Sequence, residues 1–268
     1  ARAGHTVVLF VPPYDSPEDA GRRSEDAGVS VHHVALPPGA QTPPWHWQLG
    51  WRLYQAAAQW RPDVVHAFKP KGPSGLAATL VWSRRRGGRP RLVVDSDDWE
   101  GPGGWNDNPA AGYSEGQKRF FTWQERYGLS HADAWTVTSA CLRDRAVAFG
   151  ARPGDVHILH NGVAGPVQEG AERAGERQGA ILYTRFAGVR PDDVAAIWGQ
   201  VRGQLPQARL TVVGRGPQGE EGELAGIAGI DAAGWLEPAE AAARFVSARV
   251  AIAPWIDSSA NRARHSAK

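Results

Sequence analysis

A strand–helix–strand pattern in Gly179–Pro217 constrains the fold of this chain more than any other feature. Ile181–Tyr183 and Ala208–Val213 are typical of buried strands, and the stretch between them predicts a helix over Pro191–Leu205. A connection of this length predicts a right-handed crossover between two parallel strands. Because parallel sheets are covered by helices on both faces, the pattern predicts an α/β domain with a doubly wound sheet.

Two loops of this unit follow the carboxyl ends of its strands, where open α/β sheets bind their ligands. The first loop, Thr184–Arg190, carries Arg185 and Arg190, and the second contains Gly214 and Gly216. Two fixed cations and a glycine-opened turn at one edge predict a site for a diphosphate. The alternative is that the arginines are solvated and that Gly-x-Gly is only a tight turn.

The length and charge of the chain limit its class. A chain of 268 residues is long enough for two domains, and its 42% hydrophobic and 22% charged residues are typical of a soluble globular protein. The net charge of +2 and the lack of a DNA- or RNA-binding motif indicate no nucleic-acid partner. One cysteine, Cys141, excludes an internal disulfide and favours a reducing compartment, so we expect a cytoplasmic protein.

Alternating strand and helix patterns upstream predict another α/β domain. Its apolar strands are predicted at His5–Val11, Val29–Leu36, Asp63–Phe68, Arg91–Asp95, Ala134–Thr138 and Val156–His160, and we expect the first of them to be a buried parallel strand. A polar, glycine-rich stretch over residues 165–178 is typical of a linker. We therefore expect a domain of residues 1–164, a linker of residues 165–178 and a domain of residues 179–268.

Charged residues collect where two strands of the first domain are predicted to end. Asp95, Asp97 and Asp98 follow one strand, while His66 and Lys69 lie at the end of another. Clustered carboxylates bind a divalent metal, act as a base, or cap and solvate a loop. Because neither a histidine nor a further carboxylate cluster follows at ligand spacing, we expect no metal site.

Two further segments of the first domain are open to different interpretations. Trp47, Trp51, Tyr54 and Ala58 recur at helical spacing, which predicts an amphipathic helix whose aromatic stripe lies in the core. The arginine-rich run from Arg84 to Arg91 is expected to end a helix as a solvated cap. Attraction of this run to an anionic membrane surface is the alternative.

Taken in order, short motifs of this chain resemble the GT-B glycosyltransferases, and in particular family four, the retaining nucleotide-sugar enzymes. The matching segments are Gly4–Val7, Asp63–His66 with Pro70 and Pro73-Ser74, Ser130–Ala134 with Ser139, His160–Val163, Arg185 with Arg190, Val212–Pro217, Gly234–Leu236 and Ala253-Pro254. The resemblance implies two Rossmann-like domains that face each other across a cleft. Both would be incomplete, because the family's first strand and glycine-rich loop would precede Ala1 and its Glu-x7-Glu helix would follow Lys268.

The resemblance also implies a reaction and its residues. A sugar would move from a nucleotide-diphosphate sugar to a carbohydrate, lipid-linked or small-molecule acceptor, with retention of configuration and without a metal or other cofactor. Arg185 and Arg190 would be the catalytic pair that holds the diphosphate. The implied donor-binding residues are Gly188, Gly214, Gly216, Trp235 and Leu236, and the implied acceptor-side residues are His66, Lys69, Asp95, Asp97 and Asp98.

Three positions depart from the family pattern, and two alternatives stay open. The family has a histidine at Phe68, a glycine at Thr184 and a lysine at Arg190. A nucleotide-sugar epimerase is the alternative with the same fold, and a non-catalytic two-lobed protein that binds a small ligand is the alternative of another class. The resemblance is compatible with a place in the cytoplasm at the inner face of the cell membrane.

Overall fold

A computed structural model describes residues 3–39, 41–84, 88, 90–162 and 177–265. The predicted linker falls almost entirely outside these ranges, as do Arg85, Arg86 and Arg89 of the arginine-rich run. Internal contacts divide the chain into two units. The first unit extends to Asn161 and includes the segment that begins at Ser258, and the second unit extends from Gly162 to Asp257. The sequence-based division places the segment after Ser258 in the second domain, whereas the structure packs it with the first unit.

The first unit is built from strands that alternate with helices. Its strands are β1 (Val8–Val11), β2 (Arg23–Asp26), β3 (Val29–His33), β4 (Val64–Phe68), β5 (Arg91–Ser96), β6 (Ala134–Val137) and β7 (Val156–Ile158). Its helices are α1 (Pro43–Gln59), α2 (Gly72–Ser83), α3 (Glu115–Gly128) and α4 (Ala140–Ala148). The second unit contributes β8 (Ala180–Tyr183), α5 (Pro191–Gln204), β9 (Leu210–Val213), β10 (Ile230–Gly234), α6 (Pro238–Ser247) and β11 (Val250–Ala251). A short helix, α7 (Ser259–Ala263), belongs to the first unit.

Two sheets form the first unit. The strand order β4-β5-β6-β7 makes a parallel four-stranded sheet, and β1-β3-β2 makes a separate three-stranded sheet. The strands β1 and β3 are parallel, whereas β2, which the sequence does not predict, is antiparallel to β3. The expectation that β1 is buried is wrong, because Leu9 is 41% exposed and every other residue of this strand is only partly buried. The apolar cores nonetheless confirm an α/β domain with a parallel sheet.

Helix α1 buries a different face from the predicted aromatic stripe. Trp45, Leu49 and Leu53 form its buried row, and they pack with Phe10 and other apolar side chains. Of the predicted stripe only Tyr54 is buried, while Trp47 is 50% exposed and Trp51 41% exposed. The stripe prediction is therefore wrong, because two apolar rows run along this helix and the more aliphatic one is buried.

The second unit has one parallel sheet with the strand order β10-β9-β8-β11. Its core consists of buried residues from strands β8 and β9, the loop after β8 and helix α5, including Leu182, Val194 and Leu210. After β9 the segment Glu220–Leu224 forms only a five-residue 3-10 helix, since glycines interrupt it. The strand–helix–strand pattern predicted in Gly179–Pro217 is confirmed as β8–α5–β9.

Candidate functional site

The order of the strands makes one edge of the second unit a candidate ligand site. From β8 the chain proceeds through β9 to β10 on one side, and β11 then returns to the other side of β8. Ligands of open α/β sheets bind where the order reverses, outside the carboxyl ends of the strands. In this unit that point lies between the loops that follow β8 and β11. The two loops touch, because the backbone N–H of Ile256 donates to the carbonyl oxygen of Gly188 at 3.4 Å.

The loop after β8 is anchored by its apolar residues. The buried Thr184 accepts a hydrogen bond from the backbone N–H of Phe186 through its Oγ1, at 2.8 Å. Phe186 is buried with a φ of 57°, a left-handed conformation that is uncommon outside glycine, and Val189 is 3% exposed. The core therefore fixes the loop, and Arg185 and Arg190 lie on its exposed side.

The two arginines of this loop differ in their partners. Arg185 makes no ion pair with any residue that the structure describes. Arg190 precedes the first turn of α5, and its Nε lies 3.3 Å from Oδ2 of Asp193, with 66% of the arginine side chain exposed. Arg190 is the N-cap residue of α5, and this helix N-terminus adds partial positive charge to the same edge.

Close backbone contact requires a glycine at position 214 of the turn after β9, whereas at position 216 the nearest atom is the end of a flexible side chain. A Cβ on Gly214 would lie 1.9 Å from the carbonyl oxygen of Thr184, and the φ of Gly214 is 119°. A Cβ on Gly216 would lie 2.0 Å from Oε2 of Glu220. The backbone N–H of Gly216 donates to Glu221 Oε2 at 3.0 Å, and this contact, with a smaller one from Arg215, lowers the pKa of Glu221. One backbone amide of this turn, that of Gly216, is thus already hydrogen-bonded to a carboxylate.

Trp235 and Leu236 follow the next strand at the same edge. Trp235 is 56% exposed, while Leu236 packs partly buried against a cluster that includes Ile181. The carbonyl oxygen of Gly234 accepts the N–H of Gly214 at 2.6 Å, which ties this segment to the glycine turn. All the predicted donor-side residues therefore lie in loops at one edge of one sheet.

The predicted acceptor-side residues lie in the first unit. Among them, Lys69 is surrounded by carboxylates. Lys69 Nζ lies 3.2 Å from Asp97 Oδ1, 3.1 Å from Asp98 Oδ2 and 3.5 Å from Glu100 Oε1. Burial alone would lower the pKa of Lys69, but the three carboxylates outweigh it and raise that pKa. Burial raises the pKa of Asp97, although Lys69 opposes this effect.

A neighbouring lysine, which sequence reasoning missed, continues this network inward. Lys71 Nζ lies 2.7 Å from Glu100 Oε2 and 4.7 Å from the ring centroid of Tyr113. The backbone N–H of Glu100 donates at 3.1 Å to Oε1 of Glu125, which is 1% exposed. Burial raises the pKa of Glu125 to about 8. The sequence signal for Glu125 is a glutamate four residues after Phe121, on the apolar face of α3.

His66 and Asp95 are joined by a residue that sequence reasoning also missed. Thr136 Oγ1 donates to Asp95 Oδ2 at 2.5 Å, and His66 Nε2 lies 3.1 Å from the same Oγ1. The rings of His66 and Phe68 stack with centroids 4.8 Å apart. The sequence signal for this contact was the single hydroxyl-bearing residue, Thr136, in the otherwise apolar strand β6.

The structure thus gathers the predicted residues into three groups. Lys69, Asp97 and Asp98 form one, His66 and Asp95 form another, and the donor-side loops form the third. In the ranges that the structure covers, no three histidine, cysteine, aspartate or glutamate side chains are arranged to hold a metal ion. The described helices include none with both the length and the apolar character that a membrane crossing needs.

Two Rossmann-like units, one with a cationic loop at a strand-order reversal, are characteristic of the GT-B class of enzymes. A family model described as "Glycosyl transferase 4-like domain" matches residues 1–162. The chain therefore belongs to the glycosyl transferase 4-like domain family. No protein of curated function is similar enough in sequence to match.

Two of the solved structures share this fold at low sequence identity with TM-scores above 0.5, and a third is similar at a lower score. A glycosyltransferase from Rickettsia africae is 11% identical with a TM-score of 0.54, and the match covers 96% of this chain and 66% of that one. Anabaena Alr3699/HepE, solved with UDP and glucose, is 13% identical with a TM-score of 0.51, over 92% of this chain and 73% of that one. UDP-GlcNAc 2-epimerase from Neisseria meningitidis is 7% identical with a TM-score of 0.47, over 92% and 76% respectively.

Proposed function

We propose that this protein is a glycosyltransferase that uses a nucleotide-diphosphate sugar, with the diphosphate held by Arg185 and Arg190. The observation that carries the proposal is the exposed guanidinium of Arg185, which has no ion pair among the described residues and lies in a core-anchored loop at the strand-order reversal of the second unit. The family to which the chain belongs supports sugar transfer, and the UDP in the Anabaena neighbour supports a nucleotide donor.

The chemistry places negative charge on the leaving group. The oxygen of an acceptor hydroxyl forms a bond to the anomeric carbon, and the bond from that carbon to the diphosphate oxygen breaks with its electron pair. The hydroxyl proton is released to the departing diphosphate or to water. Fixed guanidinium groups and a helix N-terminus stabilise the charge that develops, and one such contact is worth about 3 kcal/mol. The donor binds through Gly188, Gly214, Gly216, Trp235 and Leu236. We propose that the reaction retains configuration and needs no metal, because the cations take the part that a metal would play.

Product analysis tests the reaction. The purified protein is incubated with UDP- and GDP-hexoses labelled in the sugar, with and without a panel of glycoside acceptors, and the products are separated by mass spectrometry and NMR. Our proposal predicts a glycoside whose new bond has the configuration of the donor. An epimerised donor that forms without acceptor would favour the epimerase alternative. Binding without any product would favour the non-catalytic binding protein.

We also propose that the first unit contacts an anionic membrane at the inner face of the cell membrane, which would place the enzyme in the cytoplasm and in glycan biosynthesis. Trp47 and Trp51 are exposed on α1, and the Arg84 guanidinium carbon lies 5.5 Å from the Trp51 ring centroid. Tryptophan favours the membrane–water interface, and clustered arginines favour anionic lipids. A groove of about 290 Å³ lined by Trp51, Tyr54 and Arg84 opens beside them.

Vesicle sedimentation tests this contact. We expect the protein to sediment with phosphatidylglycerol vesicles and to stay in solution with phosphatidylcholine vesicles. The double variant Trp47→Ser, Trp51→Ser should bind the anionic vesicles several-fold more weakly, whereas the control Trp123→Ser, an exposed tryptophan on α3, should bind normally. Equal sedimentation of the two variants would contradict the proposal.

A further inference from the structure

We infer that Thr136 is a positioning residue that holds His66 in one tautomer, so that His66 Nδ1 accepts a hydrogen bond from a hydroxyl of a sugar-like acceptor. The inference rests on the proposed function, since it names how the acceptor is recognised. It begins from the row of hydrogen bonds that crosses the parallel sheet of the first unit from β4 to β6.

The donor and acceptor roles in this row follow from its geometry. A carboxylate offers only acceptor atoms, so the 2.5 Å contact between Thr136 Oγ1 and Asp95 Oδ2 contains the hydroxyl proton of Thr136. Thr136 Oγ1 can then only accept from His66 Nε2, which lies 3.1 Å away. His66 Nε2 must therefore carry the ring proton, and the lone pair of the neutral ring must lie on Nδ1.

The hydrogen-bonded row of Asp95, Thr136 and His66 forms a relay whose surroundings keep it fixed and leave one end open. Asp95 is 8% exposed and Thr136 is partly buried, so both partners are held inside the sheet. His66 itself is exposed, as are Val64 and Phe68 on the same face of β4. Asp95 and Thr136 are neighbours in the register between β5 and β6. The buried end of the relay thus sets the protonation of a ring whose other end faces solvent.

The exposed aromatic surface beside His66 suits a ring with hydroxyl groups. Phe68 is 62% exposed and stacks on His66 with an interplanar angle of 29°. A sugar-like molecule can lay its apolar face on such a surface and donate a hydroxyl to an adjacent acceptor nitrogen. This pair of residues therefore suits an acceptor that has both an apolar face and a hydroxyl group to donate.

The tautomer can be measured directly in uniformly ¹⁵N-labelled protein. Long-range proton–nitrogen correlation spectra distinguish protonated from unprotonated ring nitrogens, and the spectrum of the variant His66→Gln identifies which of the 9 histidines is His66. We expect His66 to carry its proton on Nε2 in the wild type and in Thr136→Ser, and to become a mixture in Thr136→Val. A wild-type spectrum with the proton on Nδ1, or an unchanged tautomer in Thr136→Val, would overturn the inference.

Binding is tested with D-glucose as the probe, by following the same His66 resonances. Glucose should shift the Nδ1 signal saturably in the wild type and in Thr136→Ser, and about fivefold more weakly in Thr136→Val. An equal response in all three proteins, or no response in the wild type, would refute the role in hydroxyl binding. The spectra do not depend on transfer, so an intact relay in a protein that transfers no sugar would contradict the proposed function alone.

Discussion

The cations of the first unit and those of the second unit lie in opposite environments. Lys69 and Lys71 are each within 3.5 Å of carboxylates, and Lys71 is largely buried. Arg185 is exposed without an ion pair among the described residues, and Arg190 has a single carboxylate partner at 3.3 Å with most of its side chain in solvent. The lysines are thus committed to holding loops together, whereas the arginines are available to an anion.

The two environments distinguish charges that stabilise the fold from charges that are open to a ligand. A buried ion pair is costly to break, because the remaining partner is left without compensation in a poorly solvated place. An exposed arginine contributes little to stability, since water solvates it equally well in the unfolded chain. Variants of Lys69 or Lys71 should therefore change stability, and variants of Arg185 or Arg190 should change anion binding.

The largest stability change is expected for a glycine that packs the second unit. Gly214→Ala places a Cβ 1.9 Å from the Thr184 carbonyl oxygen at a φ of 119°, so we expect unfolding to become easier by about 4 kcal/mol. Gly199→Ala is the control, because nothing lies within 4 Å of its Cβ in α5 and alanine favours helix. Urea denaturation that gives both variants the same midpoint would contradict this account of the edge.

The next effect concerns the buried lysine of the first unit. Lys71→Met leaves Glu100, whose side chain is 7% exposed, without its closest cation, so the variant should lose about 3 kcal/mol of unfolding free energy. Lys118→Met, which removes a partly exposed lysine whose partners Asp107 and Glu115 are themselves exposed to solvent, should change the denaturation curve little. If the two variants unfold alike, then Lys71 is not a structural cation and the contrast between the units fails.

A smaller effect is expected in the pH dependence of stability. Burial raises the pKa of Glu125 to about 8 from its ordinary 4.5, so between these values the folded protein keeps a proton that the unfolded chain releases. The stability contribution is present in full below pH 4.5 and is lost as the pH rises through 8. Glu125→Gln cannot ionise, and we expect it to match the wild type at pH 5 and to exceed it by on the order of 2 kcal/mol at pH 8.5. Parallel curves of stability against pH would show that Glu125 is charged in the folded protein.

The sequence predicts the fold better than it predicts the site. The β8–α5–β9 unit follows from apolar strands of fixed length around a helix with proline at its start, and these local signals are independent of distant partners. The relay through Thr136 and the pairing of Lys71 with Glu100 depend on the register between strands and on loop geometry, which single-sequence patterns do not encode. The stripe on α1 is instructive, because helical periodicity identified the helix but could not tell which of two apolar rows is buried.

Whether Arg185 binds a diphosphate is the claim on which the account of the second unit depends. Isothermal titration of the wild type with UDP, GDP and ADP, followed by Arg185→Ala and the control Arg249→Ala, tests it most directly. Arg249 precedes β11 at the opposite, amino edge of the same sheet. We predict that Arg185→Ala weakens binding of the preferred diphosphate by about 100-fold while Arg249→Ala binds as the wild type does. Equal binding by the two variants, or no binding of any diphosphate by the wild type, would contradict it.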